Sequence, residues 1–522
     1  MKKNLLFILG LFLLHQNLQS QTWAENIAPI LYKNCAKCHN PSGVAPFSLL
    51  TYDDAYRNRQ GIKTAVISKN MPPWSPDPNY RHMANERVLS NADINALTNW
   101  VNNSAPQGNP ANAPATPTFA VGGEIQTPDL VLTIPTYSIN TATDLYRCFT
   151  IPTRLGGDRF ITQVEIIPGN RKAVHHVLAF QDSTNAVVQL DAADPLPGYT
   201  NYGGTGSNAS SLVFGWVPGQ GAVKYPTGTG IRLTANTNMV LQVHYPGGIV
   251  NQKDSTKIIV KFAPVGATIR ELFNRPILAH VAPFLTNGPL AIPANQTKTF
   301  IEKLLIPRDG SFLSIAPHMH LIGRRIKVYG ILPNGDTLRL INIPDWDFNW
   351  QGAYNFRNVQ KIPVGTTLTA EAFYDNTTNN PYNPSNPPKL VTLGENTTDE
   401  MMLTYFTFMA YQNGDENIVL DSSAIVSNTF DIKEKERLAL NCFPNPSRSS
   451  MNLTFTLPQR EICNIDIFAM NGVAVKGIVR GQWFDKGDNQ LPISTADLPS
   501  GNYIIRLSSE KTYGIQQFVR IE

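Results

Sequence analysis

The run Met239-Val-Leu-Gln-Val-His-Tyr-Pro-Gly-Gly248 places Met239, Leu241 and Val243 at every second position and stops at a turn signal. That is the period of a strand with one buried face. Leu130, Leu132 and Ile134 alternate in the same way, and turns such as Pro-Asn-Gly-Asp at 333–336 separate further runs. The pattern holds from about 128 to 430, roughly 300 residues, which is more than one ordinary sandwich needs. Two tandem, jelly-roll-like β-sandwiches are therefore expected, at 128–275 and 276–430, with the junction near 265–285. A further β-sandwich is expected over 441–522, opening on Cys442-Phe-Pro-Asn-Pro and closing on Leu498-Pro-Ser-Gly-Asn-Tyr-Ile-Ile-Arg-Leu.

The N-terminal part has a different period. From Ser90, a plausible N-cap with Asp93 three residues on, Ile94, Leu97, Trp100 and Val101 follow one helical face. Residues 21–108 are expected to form a small all-α domain. Residues 109–127, rich in Pro, Asn and Ala, are expected to be an extended connector. Lys2 and Lys3, the apolar run Leu5 to Leu14 and polar Gln16 to Ser20 have the order of a signal peptide over 1–20. No later run is long and apolar enough to be a transmembrane helix. The chain of 522 residues is multidomain and mainly β, and its 36 Gly and 39 Pro suit a turn-rich fold. A net charge of +4 over this length implies no nucleic-acid partner.

Five cysteines are too few for a disulfide-stabilised chain. Cys442 and Cys463 share the C-terminal module, where an exported protein could pair them, and Cys148 is left over. The other two stand in Cys35-Ala-Lys-Cys38-His39, the C-x-x-C-H pattern of covalent haem c attachment with His39 as iron ligand. A redox or zinc C-x-x-C pair is the other reading. Met71, on the stiff segment Asn70-Met71-Pro72-Pro73-Trp74, is the candidate sixth ligand, with Met83 and His82 as alternatives. The stretch resembles a small class I cytochrome c domain, which implies electron transfer.

Five further histidines form three groups: His175-His176, His244 and His318-Met-His320. Spacing of two on a strand puts His318 and His320 on one face and turns Met319 away. His244 ends a strand at a rim from which a ligand can be presented. Adjacent His175 and His176 need a bulge or strand end to share a metal. Such imidazole-rich sites suit copper, zinc or iron.

The order Val-His175-His176-Val, His244-Tyr-Pro, His318-Met-His320-Leu-Ile-Gly-Arg and Asp399-Glu400-Met401-Met402 resembles the type II copper, ascorbate-dependent monooxygenases, the family of dopamine β-monooxygenase and peptidylglycine α-hydroxylating monooxygenase. The resemblance covers about 128–425. It implies two copper ions: one held by His175, His176 and His244, the other, oxygen-activating, by His318, His320 and Met401, with Met402 as the alternative sulfur ligand. Tyr405 is a conjectural supporting group. Ala316 stands where peptide-hydroxylating members carry an Arg, which argues against a peptidylglycine substrate. The C-terminal module resembles a type IX secretion sorting domain, implying the type IX machinery as a partner and passage through the periplasm to the cell surface or medium.

The expected activity is C–H hydroxylation of a small organic substrate with O2 by an exported copper monooxygenase. Electrons would come from an external donor, ascorbate-like or a redox protein, through the haem, whose domain the connector would let dock and leave. A non-enzymatic electron-transfer or copper-binding protein is the alternative, and a haem peroxidase a third reading. Trp346 and Trp350 are candidates for core or pocket, and His280 has no partner visible in sequence.

Overall fold

The computed structural model describes residues 21–119, 123–421, 436–469, 474–509 and 512–522. The expected signal peptide, 1–20, lies outside the described residues. Chain through Ser422 forms one compact unit, and Ser423–Glu522 a second.

The first unit is built on one long sheet. Its strands run in the order Leu130–Thr133, Lys257–Phe262, Arg159–Ile167, Thr229–Leu233, Arg270–Ala279, Leu403–Ala410, Gly310–His318 and Tyr354–Ile362. Two further sheets complete the sandwiches. One orders Tyr199–Thr200, Leu145–Pro152, Asn238–Tyr245, His176–Asp182 and Ser211–Trp216; the other orders Gln296–Leu305, Thr367–Asn376, Gly323–Ile331 and Thr337–Ile343. Alternating residues of facing sheets meet in the two cores, Ile161, Val164, Val177 and Leu241 in the first and Ile315, Phe406, Val328 and Ala372 in the second. This is the burial pattern expected of paired sheets.

The expected division at 275/276 falls inside a strand. Arg270–Leu272 pairs in parallel with Thr229–Ile231, and Phe273–Ala279 pairs antiparallel with Leu403–Phe408. The turn signals Gly266 and Pro283 bracket the junction, but the ten residues of Arg270–Ala279 serve both sandwiches. The two halves are thus fused through shared backbone hydrogen bonds. A bidentate ion pair pins the same strand: Arg270 Nη1 and Nη2 lie 2.6 and 2.7 Å from the Asp415 carboxylate, which also accepts from the Ser311 hydroxyl. The Arg270 guanidinium holds the Asp415 carboxyl down to about 2, below its ordinary 3.8. A depressed folded-state pKa contributes stability that is present above the ordinary value and lost as pH falls through the folded one. Asp415→Asn is therefore expected to unfold more easily at pH 7 and to lose less stability than the parent chain between pH 4 and pH 2. Urea titrations across that range measure this, and parallel acid limbs for the two proteins would exclude the role.

Helices Ala28–Asn34, Tyr52–Arg57, Arg59–Ile67 and Asn91–Asn102 pack around Trp23, Leu31, Leu97 and Trp100. Ser90 caps the last through the Asp93 N–H, as its sequence implies. The expectation that this region docks and leaves on a loose connector does not hold. Between its helices the chain crosses the second sandwich. Trp74 meets Tyr354 edge to face with ring centroids 5.4 Å apart, Asp77 N–H donates to Asn342 O, Arg81 donates to Gln360, and Ala84 N–H donates to Asn355 O. Met83, 1% exposed, bridges Phe356 within the second core. Burying such a side chain contributes about 2 kcal/mol, which release would forfeit. The connector is also held: Asn112 donates to Glu25, and Glu165 accepts from Glu124 and Ile125 N–H. Composition foretold flexible chain; specific long-range partners override it.

In the second unit a five-stranded sheet and the three-stranded sheet Asn441–Phe443, Ser450–Leu457 and Gly487–Ser494 enclose Leu453, Phe455, Ile465, Ile505 and Phe518. Cys442 and Cys463 sit on different sheets as free thiols, so the anticipated pairing is absent. Cys148 is a buried free thiol in a small cluster with Val187, Tyr199 and Val240.

Candidate metal centres

Strand register assembles the first histidine group. On the central strand Asn238–Tyr245, His244 pairs with His176 on one side and Tyr146 on the other. His175 stands just before the strand His176–Asp182, and its N–H donates to His244 O. That strand end frees adjacent residues from opposite-face geometry, so both imidazoles turn to one point. His244 is 2% exposed, so it faces inward and is not presented at a rim as its sequence position suggested. Tyr146 stacks on it with centroids 4.3 Å apart.

The three Nδ1 atoms lie 3.2, 3.3 and 3.3 Å from one another. A triangle with those sides has its centre about 1.9 Å from each nitrogen, close to the ~2.0 Å metal–imidazole bond. Burial pushes His175 down to about 4, with His244 adding to the effect, and His176 is lowered well below its usual value for the same first reason. Neutral rings with converging lone pairs repel one another unless a cation sits among them. Among the described residues, this is the one group of three or more His, Cys, Asp or Glu side chains so clustered. Asp144 lies 3.5 Å from His244 Nε2 and accepts from the Thr397 hydroxyl. His244 foremost, then Thr397, hold its carboxyl down to about 2.

The second group forms where a strand ends. His318 is the last residue of Gly310–His318 and His320 lies in the connection beyond it, so both do not occupy the single strand face expected. Their rings are nevertheless 5.1 Å apart. His318 Nδ1 pairs with Gln351 Oε1 and His320 Nδ1 with Asp399 O. Both partners are acceptors, which puts the protons on Nδ1 and leaves Nε2 with its lone pair for a metal. Burial pushes His318 down to about 4 and His320 to about 3. Met319 turns into the second core, and Trp346 is also core, its Nε1–H donating to His320 O.

Glu400 ties this centre together. Its Oε2 accepts from the N–H groups of His320 and Met401, and its Oε1 from those of Ile322 and Gly323. One buried carboxylate thus clasps the backbone of both candidate ligand segments. Met402 is fully buried in the second core, whereas Met401, 7% exposed, stands outside that cluster. Tyr405 lies in register with Ala316, on the strand beside His318.

Phe348 stands between the centres. Its ring centroid is 6.0 Å from that of His175 and 6.0 Å from that of His320, so those two imidazoles are no more than 12 Å apart. Asp144, Tyr146, Phe348, Gln351 and Glu400 carry no ligand signature, and their roles arise only from register and loop packing.

In Cys35-Ala-Lys-Cys38-His39 neither cysteine is paired with another cysteine, and His39 Nδ1 pairs with Phe47 O at 3.1 Å. That bond leaves His39 Nε2 as a bare ligand atom, the arrangement a metal-binding imidazole uses. Burial pushes the Cys35 thiol up to about 12. Met71 is half-buried, its N–H donating to Ala65 O. The alternatives fare differently: Met83 is sealed in the second core, and His82 is exposed beside Glu86. His280 has a partner after all, its Nδ1 accepting from Met402 N–H.

Comparison with known proteins follows these divisions. Residues 130–248 match the family model of the copper type II ascorbate-dependent monooxygenase N-terminal domain, and residues 441–522 that of the secretion system C-terminal sorting domain. DBH-like monooxygenase protein 1 of Homo sapiens is 23% identical over 254 residues, 46% of this chain and 40% of that protein, so the chain spans about two fifths of that relative's length. Among solved structures, PNGase F, a glycosylasparaginase from Flavobacterium meningosepticum, is 9% identical over 54% of this chain and 97% of its own, with a TM-score of 0.24. The major capsid protein P2 of bacteriophage PM2 is 9% identical over 55% and 100%, with a TM-score of 0.22. At such scores neither bears on function. Among the described residues no helix is long and apolar enough to cross a membrane. Residues 130–248 are thus similar to the N-terminal domain of the copper type II monooxygenases, and residues 441–522 are the sorting domain of a type IX cargo exported to the cell surface.

Proposed function

We propose that this protein is an exported copper-dependent monooxygenase that hydroxylates a C–H bond of a small organic substrate, with electrons entering through a covalently bound c-type haem. His175, His176 and His244 would hold one copper; His318, His320 and Met401 would hold the other. Cys35 and Cys38 would carry the haem through thioethers, with His39 and Met71 as iron ligands. Bound copper supplies one-electron redox chemistry and dioxygen activation, and a thioether ligand favours the Cu(I) state that meets dioxygen.

The observation that carries this reading is the Nδ1 triangle, a three-nitrogen pocket with bond-length spacing and no carboxylate in it. Around it the chain's own residues have definable tasks. Tyr146 holds the His244 ring in plane, Gln351 and Asp399 set the tautomers of His318 and His320, and Glu400 fixes the backbone from which His320 and Met401 project. Phe348 lies against one imidazole of each centre.

Metal analysis of the full chain tests the proposal. Two coppers and one haem per chain, with oxygen uptake that rises on adding an ascorbate-like donor and a small organic substrate, are expected. One copper or a zinc, with no substrate-dependent uptake, would favour the non-enzymatic carrier.

A further inference from the structure

The helical region is anchored on the second sandwich, yet its C-x-x-C-H segment leans on the first. A Cβ built at Gly219 would lie 3.1 Å from Cys38 Sγ and 3.6 Å from an Arg87 guanidinium nitrogen, so a side chain here would crowd the Cys38 sulfur. Gly219 has φ of +83° in a tight turn closed by Gln220 N–H to Val217 O. The same turn is tied back to the sheet by Trp216, whose Nε1–H donates to Gln220 O at 3.0 Å. Trp216, 1% exposed, pairs with Val177, the residue after His176. Lys37 adds an exposed ion pair to Glu124, 3.6 Å away, of the sort that orients more than it stabilises.

Resting on the reading of Cys38 as a haem attachment point, we infer that the turn Trp216–Gln220 is the seat for the covalently attached edge of the haem, so that electrons enter at the first metal centre and not at the second. The route is short and contiguous: Cys38 against Gly219, Gln220 bonded to Trp216, Trp216 paired with Val177, and Val177 bonded to His176. With both groups bound, Cys38 would hold the haem, His39 its iron, and His175, His176 and His244 the copper; one electron would pass from iron(II), leaving iron(III), to copper(II), giving copper(I), with no bond broken and no proton moved, and an external one-electron donor would restore the iron.

The experiment uses the full chain carrying haem and copper. Haem is reduced, copper is left oxidised, and haem reoxidation is followed anaerobically by stopped-flow absorbance, with the copper signals followed by EPR. Gly219→Asn keeps a residue that tolerates positive φ while adding a side chain that displaces Cys38, and is expected to slow the fast phase by about tenfold or more, as misplacement by an ångström can. Trp216→Phe retains the ring but loses the bond to Gln220, and is expected to slow it severalfold, so a Gly219 variant that does not fold leaves the test intact. His244→Ala, which empties the first centre, is expected to abolish the fast phase. A fast phase that survives His244→Ala, or that neither turn variant slows, overturns the inference. Absence of a haem spectrum before mixing is a separate result, and it overturns the haem reading itself together with this route.

Discussion

Replacing His244 with Ala is expected to yield a chain that binds one copper instead of two and has lost its substrate-dependent oxygen uptake. His244 supplies one corner of the Nδ1 triangle and is nearly sealed from solvent, so its loss removes one of the three converging nitrogens. Second-layer partners alone cost about 10–100-fold in metal affinity when removed, and loss of one of three direct ligands should exceed that. Turnover should fall below about one hundredth of the parent rate, because a single remaining centre could not store the two electrons that the proposed hydroxylation would consume. The second centre should keep its copper, since His318, His320 and Met401 depend on Gln351, Asp399 and Glu400, not on His244. Titration with Cu(II) and EPR would measure both effects. A variant that still binds two coppers would remove His244 from the ligand set.

Glu400→Ala should be the most damaging single change outside the ligands. It strands four buried N–H groups, those of His320, Ile322, Gly323 and Met401. At about 1 kcal/mol or more for each unsatisfied group, the loss is about 4 kcal/mol, a large part of a typical domain's stability. Burial pushes the Glu400 carboxyl up to about 8, while the four N–H bonds pull it down; with each oxygen already accepting two donors, the ionised form suits the geometry. The expected result is a clear drop in melting temperature and loss of sulfur scattering from the copper X-ray absorption spectrum, with copper at the first centre retained. Glu400→Gln, which keeps one acceptor oxygen, should fall between. Unchanged melting and an intact sulfur signal in Glu400→Ala would show that the clasp does not hold Met401 in place.

Much of this was legible in the chain, for reasons of range. The helix from Ser90 and the strand through Met239, Leu241 and Val243 follow from period and capping, which depend on residues a few positions apart. Other expectations failed at longer range. Pro and Asn around 109–127 speak of a loose tether, but Glu25 and Glu165 hold its two ends. Met83 resembles a haem ligand in sequence, yet Phe356, more than two hundred residues away, makes it core.

The amino-acid order alone determined which atoms are available: two thiols and an imidazole in a five-residue motif, five further imidazoles in three groups, two adjacent thioethers, and an export module, because side-chain chemistry and close spacing are local properties. Only tertiary structure decided where they stand. His175 and His244 are 69 positions apart, and their nitrogens meet only because strand register places them there. Glu400 joins His320 to Met401, Phe348 lies between the centres, and one shared strand fuses the sandwiches, through contacts whose partners no period or motif names.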